Sequence, residues 1–315
     1  MARVAITGVA GFVGSHIAEA ALACGFQVRG LDVIDRAPAG VERVMGDVGD
    51  AAAAARLCSE ADFVVHAAAI VGEGGRKELF WRINVEGTRV VARAAREAGV
   101  RRFVHISSVM VYGFRYPPGV TEDGPLAGEG NPYCETKIES ERVARAFREP
   151  GNLDVVALRL GDVYGPGSVP WVIRPLELMR RRLFILPSGG RGVLNPVHID
   201  DVVRAVFLAL DRPVSGSFNI TGGAAVTCRE YFSRLAALAG RRGVPSLPGP
   251  LLRAGFALSA ALAPLFGRKP IAYPSGVDFL MRPYAYSIEK ARRDLGYEPS
   301  VGLDEGLRRL KISMN

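Results

Sequence analysis

Residues 2–32 read ARVAITGVAGFVGSHIAEAALACGFQVRGLD, and this stretch decides the fold. The apolar run Ala2–Thr7 is typical of a short buried strand, and it leads directly into the glycine-rich segment GVAGFVG at residues 8–14. Helical periodicity follows over Phe12–Ala23, and a second apolar strand is predicted over Gln27–Asp32. A strand, a glycine turn and a helix in this order predict one unit of a parallel α/β sheet.

The alternation of strand and helix continues through the first half of the chain. Further strands are predicted at Asp62–Ala67, Arg102–Ser107 and Leu153–Leu158, with helices at Lys77–Ala98 and Pro132–Phe147. This spacing predicts an α/β fold of the Rossmann type, a doubly wound parallel sheet with helices on both faces.

Beyond about residue 170 the alternation gives way to Gly- and Pro-rich loops and to separate helices. These helices are predicted at Asp200–Leu210, Thr227–Ala239, Leu251–Leu265 and Asp304–Ile312. We therefore expect a dinucleotide-binding domain over residues 1–170 and a smaller, mostly helical substrate-binding lobe over residues 171–315. Segments of the chain are expected to cross between the two.

The composition is that of a globular enzyme, with 49% hydrophobic and 23% charged residues in a chain of 315. The net charge is +8, but the arginines are spread along the chain. A solvated surface explains them better than a nucleic-acid-binding patch. The four cysteines have neither C-x-x-C nor metal-ligand spacing, so we expect no metal site and a reducing cytoplasmic location.

The longest apolar stretch is Leu251–Phe266, which Arg253 interrupts. It is shorter than the roughly 20 residues that cross a bilayer, so no stable membrane span is predicted. Three interpretations stay open: a core helix of the small lobe, a lid over the site, or a helix lying on a membrane surface. A strand that begins at Ala2 also predicts that no targeting segment precedes it.

The glycine turn is suited to a dinucleotide pyrophosphate. One glycine permits the tight turn, one allows the backbone to approach the phosphates, and one allows helix and strand to pack closely. Asp32 ends the second strand, where a carboxylate binds ribose hydroxyls and repels a 2′-phosphate, so NAD is favoured over NADP. Arg36 would weaken that preference, and the alternative for Asp32 is a simple turn residue.

Tyr133 and Lys137 lie one turn apart at the start of a predicted helix, so they share a face. A neighbouring cation favours the phenolate, and we expect Lys137 to lower the pKa of Tyr133 enough for general acid/base catalysis.

Ser107 and Ser108 end the preceding strand, where either hydroxyl would reach the reacting oxygen. Position alone does not choose between the two serines.

The chain resembles the extended short-chain dehydrogenase/reductases over nearly its whole length. The matching motifs are the glycine loop at 7–14, HAAA at 66–69, NVEGT at 84–88, SVMVYG at 108–113, YCETK at 133–137, RLGDVYGP at 159–166 and HIDDV at 198–202. The resemblance selects Ser108 over Ser107, so the implied catalytic residues are Ser108, Tyr133 and Lys137. Homodimers are common in the family, and one is possible here.

The same resemblance implies the cofactor site, with Asp47 and Val48 at the adenine and Val163 at the nicotinamide. The implied cofactor-binding residues are Gly8, Gly11, Phe12, Val13, Asp32, Asp47, Val48, Ala67, Ala68, Ala69, Tyr133, Lys137 and Val163.

Other polar residues in these motifs have structural interpretations. Asn84 is expected to brace the active-site architecture rather than only cap a helix. His66 and His198 are expected to be buried structural residues, because apolar residues flank them. Asp200 and Asp201 begin a helix, so we expect at least one of them to cap it.

Three features bear on the substrate. Val109 and Met110 stand where the family's dehydratases have an acidic pair, which disfavours dehydration. Leu194 stands where sugar-nucleotide enzymes often have a diphosphate-binding Arg, although Arg191 would substitute if the loop shifted. The tail Val277–Pro299 resembles the 3β-hydroxysteroid dehydrogenase-like branch.

We therefore expect an NAD-dependent oxidoreductase that interconverts a secondary alcohol and a ketone on a lipophilic, 3β-hydroxysteroid-like substrate. The alternatives are a sugar-nucleotide 4-epimerase that retains its NAD, and a non-enzymatic NAD-sensing protein. Intact Ser108, Tyr133 and Lys137 argue against the sensor, which needs none of them.

Overall fold

A seven-stranded parallel sheet forms the centre of the molecule in a computed structural model that describes residues 1–267, 270 and 272–314. Its strands, in chain order, are β1 (Arg3–Thr7), β2 (Gln27–Asp32), β3 (Glu42–Met45), β4 (Phe63–His66), β5 (Arg102–Ser108), β6 (Asp154–Leu160) and β11 (Gly216–Ile220). The spatial order is β11-β6-β5-β4-β1-β2-β3, and every neighbouring pair is parallel. The doubly wound sheet predicted from the sequence is confirmed.

In the part of the chain that the structure describes, the remaining strands form three small two-stranded sheets. They are β7 (Asp162–Tyr164), β8 (Leu186–Pro187), β9 (Val193–Leu194), β10 (Pro196–His198), β12 (Val226–Thr227) and β13 (Ser246–Leu247). The α-helices are α1 (Phe12–Ala23), α2 (Ala51–Cys58), α3 (Lys77–Phe80), α4 (Gly87–Glu97), α5 (Pro132–Ala146), α6 (Arg174–Arg180), α7 (Ile199–Asp211), α8 (Cys228–Leu238), α9 (Gly249–Leu262), α10 (Pro274–Phe279) and α11 (Leu303–Met314).

Helices cover both faces of the sheet. Helices α1 and α7 pack over one face around residues such as Ile17 and Val206. Helices α2, α4 and α5 cover the other, around Leu57, Val91 and Ala144. Strands buried on both sides carry continuous apolar runs, which explains why β1 and β4 were predictable from composition.

The part of the chain beyond residue 170 contributes both to the central sheet with its covering helices and to a separate helical cluster. Strand β11 pairs with β6 at the edge of the central sheet, and α7 packs against α1. Helices α6, α8 and α11 form a separate apolar cluster that includes Met179, Phe232 and Leu310. Segments do cross between the two regions, and the division near residue 170 stays a prediction.

The predicted helix Lys77–Ala98 is interrupted in the structure. Between α3 and α4 the chain forms a π-helical segment, Trp81–Glu86, which contains Asn84. Widened turns of this kind often occur at functional sites because they redirect one side chain.

Helix caps agree with the sequence at one helix and differ at another. The Thr227 side chain accepts a hydrogen bond from the Glu230 backbone N–H (3.1 Å), as predicted for α8. At α7 the cap is His198, whose Nδ1 accepts from Asp200 N (3.2 Å). The expectation that Asp200 or Asp201 caps this helix is therefore wrong. Asp201 instead binds Ser300 and Val301, and Asp200 pairs with Arg309.

The apolar stretch Leu251–Phe266 forms α9 and a following 3-10 turn, and most of its large side chains are exposed. The interpretation as a core helix is therefore wrong. Within residues 1–267, 270 and 272–314, no helix combines the length and apolarity needed to cross a membrane.

Candidate active site

The glycine loop between β1 and α1 is packed so closely against neighbouring backbone that two of its glycines have no room for a side chain. Gly8 has φ +71°, and a Cβ there would lie 2.8 Å from the backbone N of Ala68. A Cβ on Gly14 would lie 2.1 Å from the Gly8 carbonyl oxygen. Gly8 therefore makes the tight turn, and Gly14 allows α1 to pack against the loop.

The N-terminus of α1 is free to bind an anion. Its cap residue Gly11 supplies no side-chain hydrogen bond, and the first turn, which begins with Phe12 and Val13, contains no acidic residue. The unpaired N–H groups and the positive end of the helix dipole suit a pyrophosphate.

Asp32, at the end of β2, is joined to the glycine loop. Its Oδ2 accepts a hydrogen bond from Ala10 N (2.9 Å), and its Oδ1 accepts from Ile34 N (3.1 Å). A carboxylate has lone pairs beyond these two bonds, so Asp32 retains capacity for ribose hydroxyls. Arg36 lies beside it and donates to the Ala10 carbonyl (3.0 Å).

The other predicted cofactor residues lie along the same edge of the sheet. Asp47 accepts from Gly49 N (2.8 Å) and from Arg82 (3.0 Å); its pKa is lowered by these bonds, although its burial acts in the opposite direction. Val48 is buried, and a Cβ on Gly87 would lie 2.5 Å from it. Residues 67–69 follow β4, next to Gly8, and Val163 lies in β7.

A buried chain of hydrogen bonds leads from β1 toward α5. Ala68 N donates to Thr7 Oγ1, which bonds His66 Nδ1 (2.8 Å), and His66 Nε2 bonds Thr88 Oγ1 (2.9 Å). Thr88 donates to the Asn84 carbonyl (2.6 Å). These directions assign the His66 proton to Nε2, and burial lowers its pKa to about 3. His66 is a neutral structural residue, as predicted.

Asn84 continues this chain toward α5. Its amide exchanges two hydrogen bonds with the backbone of Ile70 and donates to Thr136 Oγ1 (3.1 Å). Thr136 in turn donates to the Pro132 carbonyl (2.7 Å). Asn84 thus holds the first turn of α5 against the loop after β4, which is the bracing role predicted for it.

The first turn of α5 places Tyr133 and Lys137 at the carboxyl end of β5. Asn131 caps the helix and accepts from the backbone N–H groups of Tyr133 (3.0 Å) and Cys134 (3.2 Å). Lys137 Nζ donates to the Ile106 carbonyl (2.8 Å) and lies 6.0 Å from the centre of the Tyr133 ring. The sharing of one helix face, predicted from the spacing, is present.

The two serines at the end of β5 have different partners. Ser107 donates to the buried carboxylate of Glu141, which forms a two-pronged ion pair with Arg159. The Ser108 hydroxyl accepts a hydrogen bond from Met110 N (3.2 Å), and it lies close enough to the Tyr133 phenol to act on the pKa of that phenol. The geometry therefore places Ser108, not Ser107, beside the phenol.

The electrostatics of the pair differ from the sequence expectation. Burial raises the pKa of Tyr133 to about 12, while the hydrogen bond from Ser108 opposes the shift. Burial also lowers the pKa of Lys137 to about 8, against the raising effect of Glu141. The pKa of Tyr133 is therefore raised rather than lowered. Burial destabilises the phenolate by more than the neighbouring groups stabilise it.

The surroundings of Tyr133 are apolar. It packs with Phe80, Met110 and Cys134, and with the partly buried Ile70, Phe114 and Phe279. A cavity of about 1110 Å³ reaches Phe114 and Pro132, which directly precedes Tyr133. Acidic residues of its lining are already engaged: Glu73 pairs with Arg174, Asp278 pairs with Arg253, and Glu129 accepts two backbone N–H groups.

One ion pair near this site was not found from the sequence. Arg282 and Asp162, both buried, form a two-pronged pair (2.7 and 2.8 Å), and Arg282 also contacts the Met110 sulfur (3.5 Å). These residues lie 120 positions apart, so no local pattern connects them. Leu194, which stands where sugar-nucleotide enzymes often have a diphosphate-binding Arg, is fully buried in the apolar cluster of α6, α8 and α11.

A dinucleotide fold with a Ser–Tyr–Lys group at its ligand edge defines a class of nicotinamide-dependent enzymes. The chain belongs to the NAD dependent epimerase/dehydratase family, whose model matches residues 4–221. It is an enzyme of the extended short-chain dehydrogenase/reductase superfamily, and its cofactor is NAD.

Relatives in this family carry out several reactions. The chain is 31% identical to a 2-alkyl-3-oxoalkanoate reductase of Stenotrophomonas maltophilia, with 99% of each chain aligned. It is 32% identical to a dTDP-glucose 4,6-dehydratase of Streptomyces antibioticus (96% of this chain, 90% of the other). It is 29% identical to a decarboxylating sterol-4-alpha-carboxylate 3-dehydrogenase of Bos taurus (96% and 88%).

Among solved structures, MoeE5 in complex with UDP-glucose and NAD matches with a TM-score of 0.78 and 28% identity, covering 100% of this chain and 98% of that one. Reductases, dehydratases and sugar-nucleotide enzymes all resemble the chain, so family membership alone leaves the reaction open.

Proposed function

We propose that this protein is an NAD-dependent oxidoreductase that interconverts a secondary alcohol and a ketone on a lipophilic substrate, with Ser108, Tyr133 and Lys137 as catalytic residues. The strongest support is the apolar wall around Tyr133, to which Phe80, Met110 and Phe114 contribute. A sugar ring would present hydroxyl groups to this wall, and each would lose hydrogen bonds to water without replacement.

In the direction of oxidation, Tyr133 takes the hydroxyl proton of the alcohol while Ser108 hydrogen-bonds the same oxygen. NAD, when bound in the glycine-loop site, would supply the hydride acceptor for the carbinol carbon. Lys137 contributes positive charge at the base of the site, where its ammonium is already fixed by the Ile106 carbonyl. Ser108 opposes the effect of burial on the pKa of the phenol, and the Lys137 charge would act in the same direction during proton transfer. Reduction of the ketone reverses each transfer.

The names of two relatives and the position of Arg115 suggest that the substrate carries a carboxylate. In the names of the Stenotrophomonas and Bos taurus relatives, a carboxylate stands on the carbon next to the reacting carbon. In the present chain Arg115 lines the cavity, is exposed, and has no ion-pair partner among the described residues. We propose that Arg115 binds such a carboxylate on the substrate of this enzyme.

A sugar-nucleotide 4-epimerase is the second candidate, favoured by the full-length likeness to MoeE5 in complex with UDP-glucose. It would use the same three catalytic residues. The buried Leu194 and the pairing of Arg282 with Asp162 weigh against it, because neither supplies a free cation for a diphosphate.

The test is an assay with NAD and four substrates: a 2-alkyl-3-hydroxyalkanoate, the matching alcohol without its carboxylate, a 3β-hydroxysteroid and UDP-glucose. Net NADH with the lipophilic alcohols supports the proposal. Isomerised sugar without net NADH identifies an epimerase, and NAD binding without turnover of any substrate identifies a sensor.

Two variants test the assigned roles. Tyr133→Phe should lower kcat by about 10²- to 10⁴-fold and change NAD affinity much less, as expected for loss of a general acid/base. Arg115→Ala should lower kcat/KM for the carboxylate substrate by about 10- to 100-fold and leave the uncharged alcohol unaffected. Equal effects on both alcohols would contradict carboxylate binding without contradicting the oxidoreductase.

A cytoplasmic location and a homodimer also stay predictions, and sedimentation of the purified chain tests the second.

A further inference from the structure

Helix α9 and the 3-10 turn Ala263–Phe266 expose an unusual row of apolar side chains. We call this row the α9 face; it consists of Leu251, Leu258, Leu262, Leu265 and Phe266. Leu251 is 60% exposed, Leu258 61%, Leu265 76% and Phe266 75%. Within the helix, spacings of seven and four residues place the leucines on one side. The α9 face is therefore continuous rather than a set of scattered surface leucines.

The opposite side of α9 packs against the protein. Leu252 is buried, and α9 contacts α10. Arg253 is the one charged residue of α9, and it forms an ion pair with Asp278 in α10. The outward side consequently carries no charged side chain, and a contiguous exposed apolar patch of this kind is typical of an interaction site.

The sequence around α9 is strongly basic. Between Glu230 and Asp278 there is no acidic residue, while the segment contains Arg234, Arg241, Arg242, Arg253, Arg268 and Lys269. Arg234 and Arg253 are already paired with carboxylates, whereas Arg241 and Arg242 form no described ion pair. Cations therefore precede the α9 face in the chain, and two more follow it directly.

This charge pattern favours one kind of partner. A second copy of the chain placed on the α9 face would bring the same excess of cations from both segments together, and the segment holds no acid to pair with them. An anionic lipid surface offers acyl chains that bury the leucines, and it offers negatively charged headgroups that attract the cations.

We propose that the α9 face docks the protein on an anionic membrane surface. Helix α9 has 14 residues, or about 21 Å, so it would lie in the plane of the headgroups rather than cross the bilayer. Arg253 and Asp278 also line the cavity that reaches Phe114 and Pro132. Docking would therefore bring the cavity close to the lipid, although the binding itself does not depend on the proposed reaction.

The experiment is flotation of the full-length protein with vesicles of phosphatidylcholine alone or of phosphatidylcholine with phosphatidylglycerol. The protein should float with the anionic vesicles and be released by high salt, which screens the attraction. The double variant Leu258→Glu/Leu262→Glu should reduce the vesicle-bound fraction by about tenfold or more. The control is Leu183→Glu, which changes an exposed leucine of the region after α6 and should float like the original protein.

Each result bears directly on the proposal. It is overturned if the original protein does not float, or if the double variant floats equally well. It is also overturned if sedimentation shows a dimer that the double variant converts to monomers, because the α9 face then belongs to a second copy. Circular dichroism of both variants establishes that they are folded.

Discussion

At the scale of single residues, the end of β5 shows how two adjacent serines are separated in role. Ser107 faces the ion pair of Glu141 and Arg159, which is almost completely buried, while Ser108 faces Tyr133. Side chains of a strand alternate between its two faces, so neighbours necessarily point in different directions.

This separation gives a paired prediction. Ser108→Ala should lower kcat by about 10- to 1000-fold, since it removes a hydrogen-bond donor to the reacting oxygen. Ser107→Ala should leave kcat nearly unchanged and lower the free energy of unfolding by about 1–3 kcal/mol, because Glu141 loses a donor. Steady-state kinetics and urea unfolding of both variants measure the two effects. Loss of turnover in Ser107→Ala with retention in Ser108→Ala would reverse the assignment.

Two buried histidines should make the protein sensitive to acid. His66 and His105 stack with ring centres 5.6 Å apart, and burial lowers the pKa of both, that of His66 from 6.5 to about 3. The unfolded chain binds these protons first, so the free energy of unfolding should fall as the pH falls from 6.5 toward 3. Each histidine should contribute a slope of up to about 1.4 kcal/mol per pH unit.

The variant His105→Gln tests this slope, with His16→Gln in the partly exposed helix α1 as the control. Urea midpoints across the acid range should fall less steeply in His105→Gln than in the original protein. An unchanged slope would show that other groups cause the acid sensitivity.

At the scale of elements, the contact between the glycine loop and α1 leaves no room for a side chain at Gly14. A Cβ there would lie 2.1 Å from the Gly8 carbonyl oxygen, and the backbone on both sides is fixed by β1 and α1.

Gly14→Ala should therefore weaken NAD binding by at least about tenfold and destabilise the fold by about 1–3 kcal/mol, as expected for overpacking. The matched control is Gly255→Ala in α9, where a Cβ meets nothing within 4 Å. That change should be neutral or stabilising by up to about 1 kcal/mol, because Ala favours a helix over Gly. Calorimetric NAD titration and urea unfolding compare the two, and normal NAD binding by Gly14→Ala would refute the packing argument.

At the scale of the whole molecule, the pair Asp162–Arg282 ties the tail of the chain to the end of the sheet. Arg282 lies just after α10, and Asp162 begins β7, which also contains Val163. Asp162 also accepts from Asn195 N (2.7 Å), so its carboxylate connects three distant segments.

Arg282→Met should destabilise the protein by about 3–5 kcal/mol, because the Asp162 carboxylate is left buried without its partner. Adding Asp162→Asn should recover part of this loss, since the charge is then removed. Urea unfolding of the two variants measures the difference. A double variant less stable than Arg282→Met alone would count against the unpaired charge as the cause.

The sequence by itself determined five of the seven strands of the central sheet, the glycine loop and the spacing of Tyr133 and Lys137, whereas β3 and β11 were not predicted. Helix α1 and strand β2 have the predicted bounds, and Tyr133 and Lys137 share a helix face. These features depend on apolar periodicity, glycine positions and one helical turn, all of which act between residues close in the chain.

Only the tertiary structure decided the rest. It showed the partners of Ser107 and Ser108, the raised pKa of Tyr133, the long-range pair Asp162–Arg282 and the exposure of the α9 face. Each of these depends on which surfaces meet after the chain has folded. An apolar helix has the same sequence whether it is covered or exposed, and a buried pair 120 residues apart leaves no periodic signal.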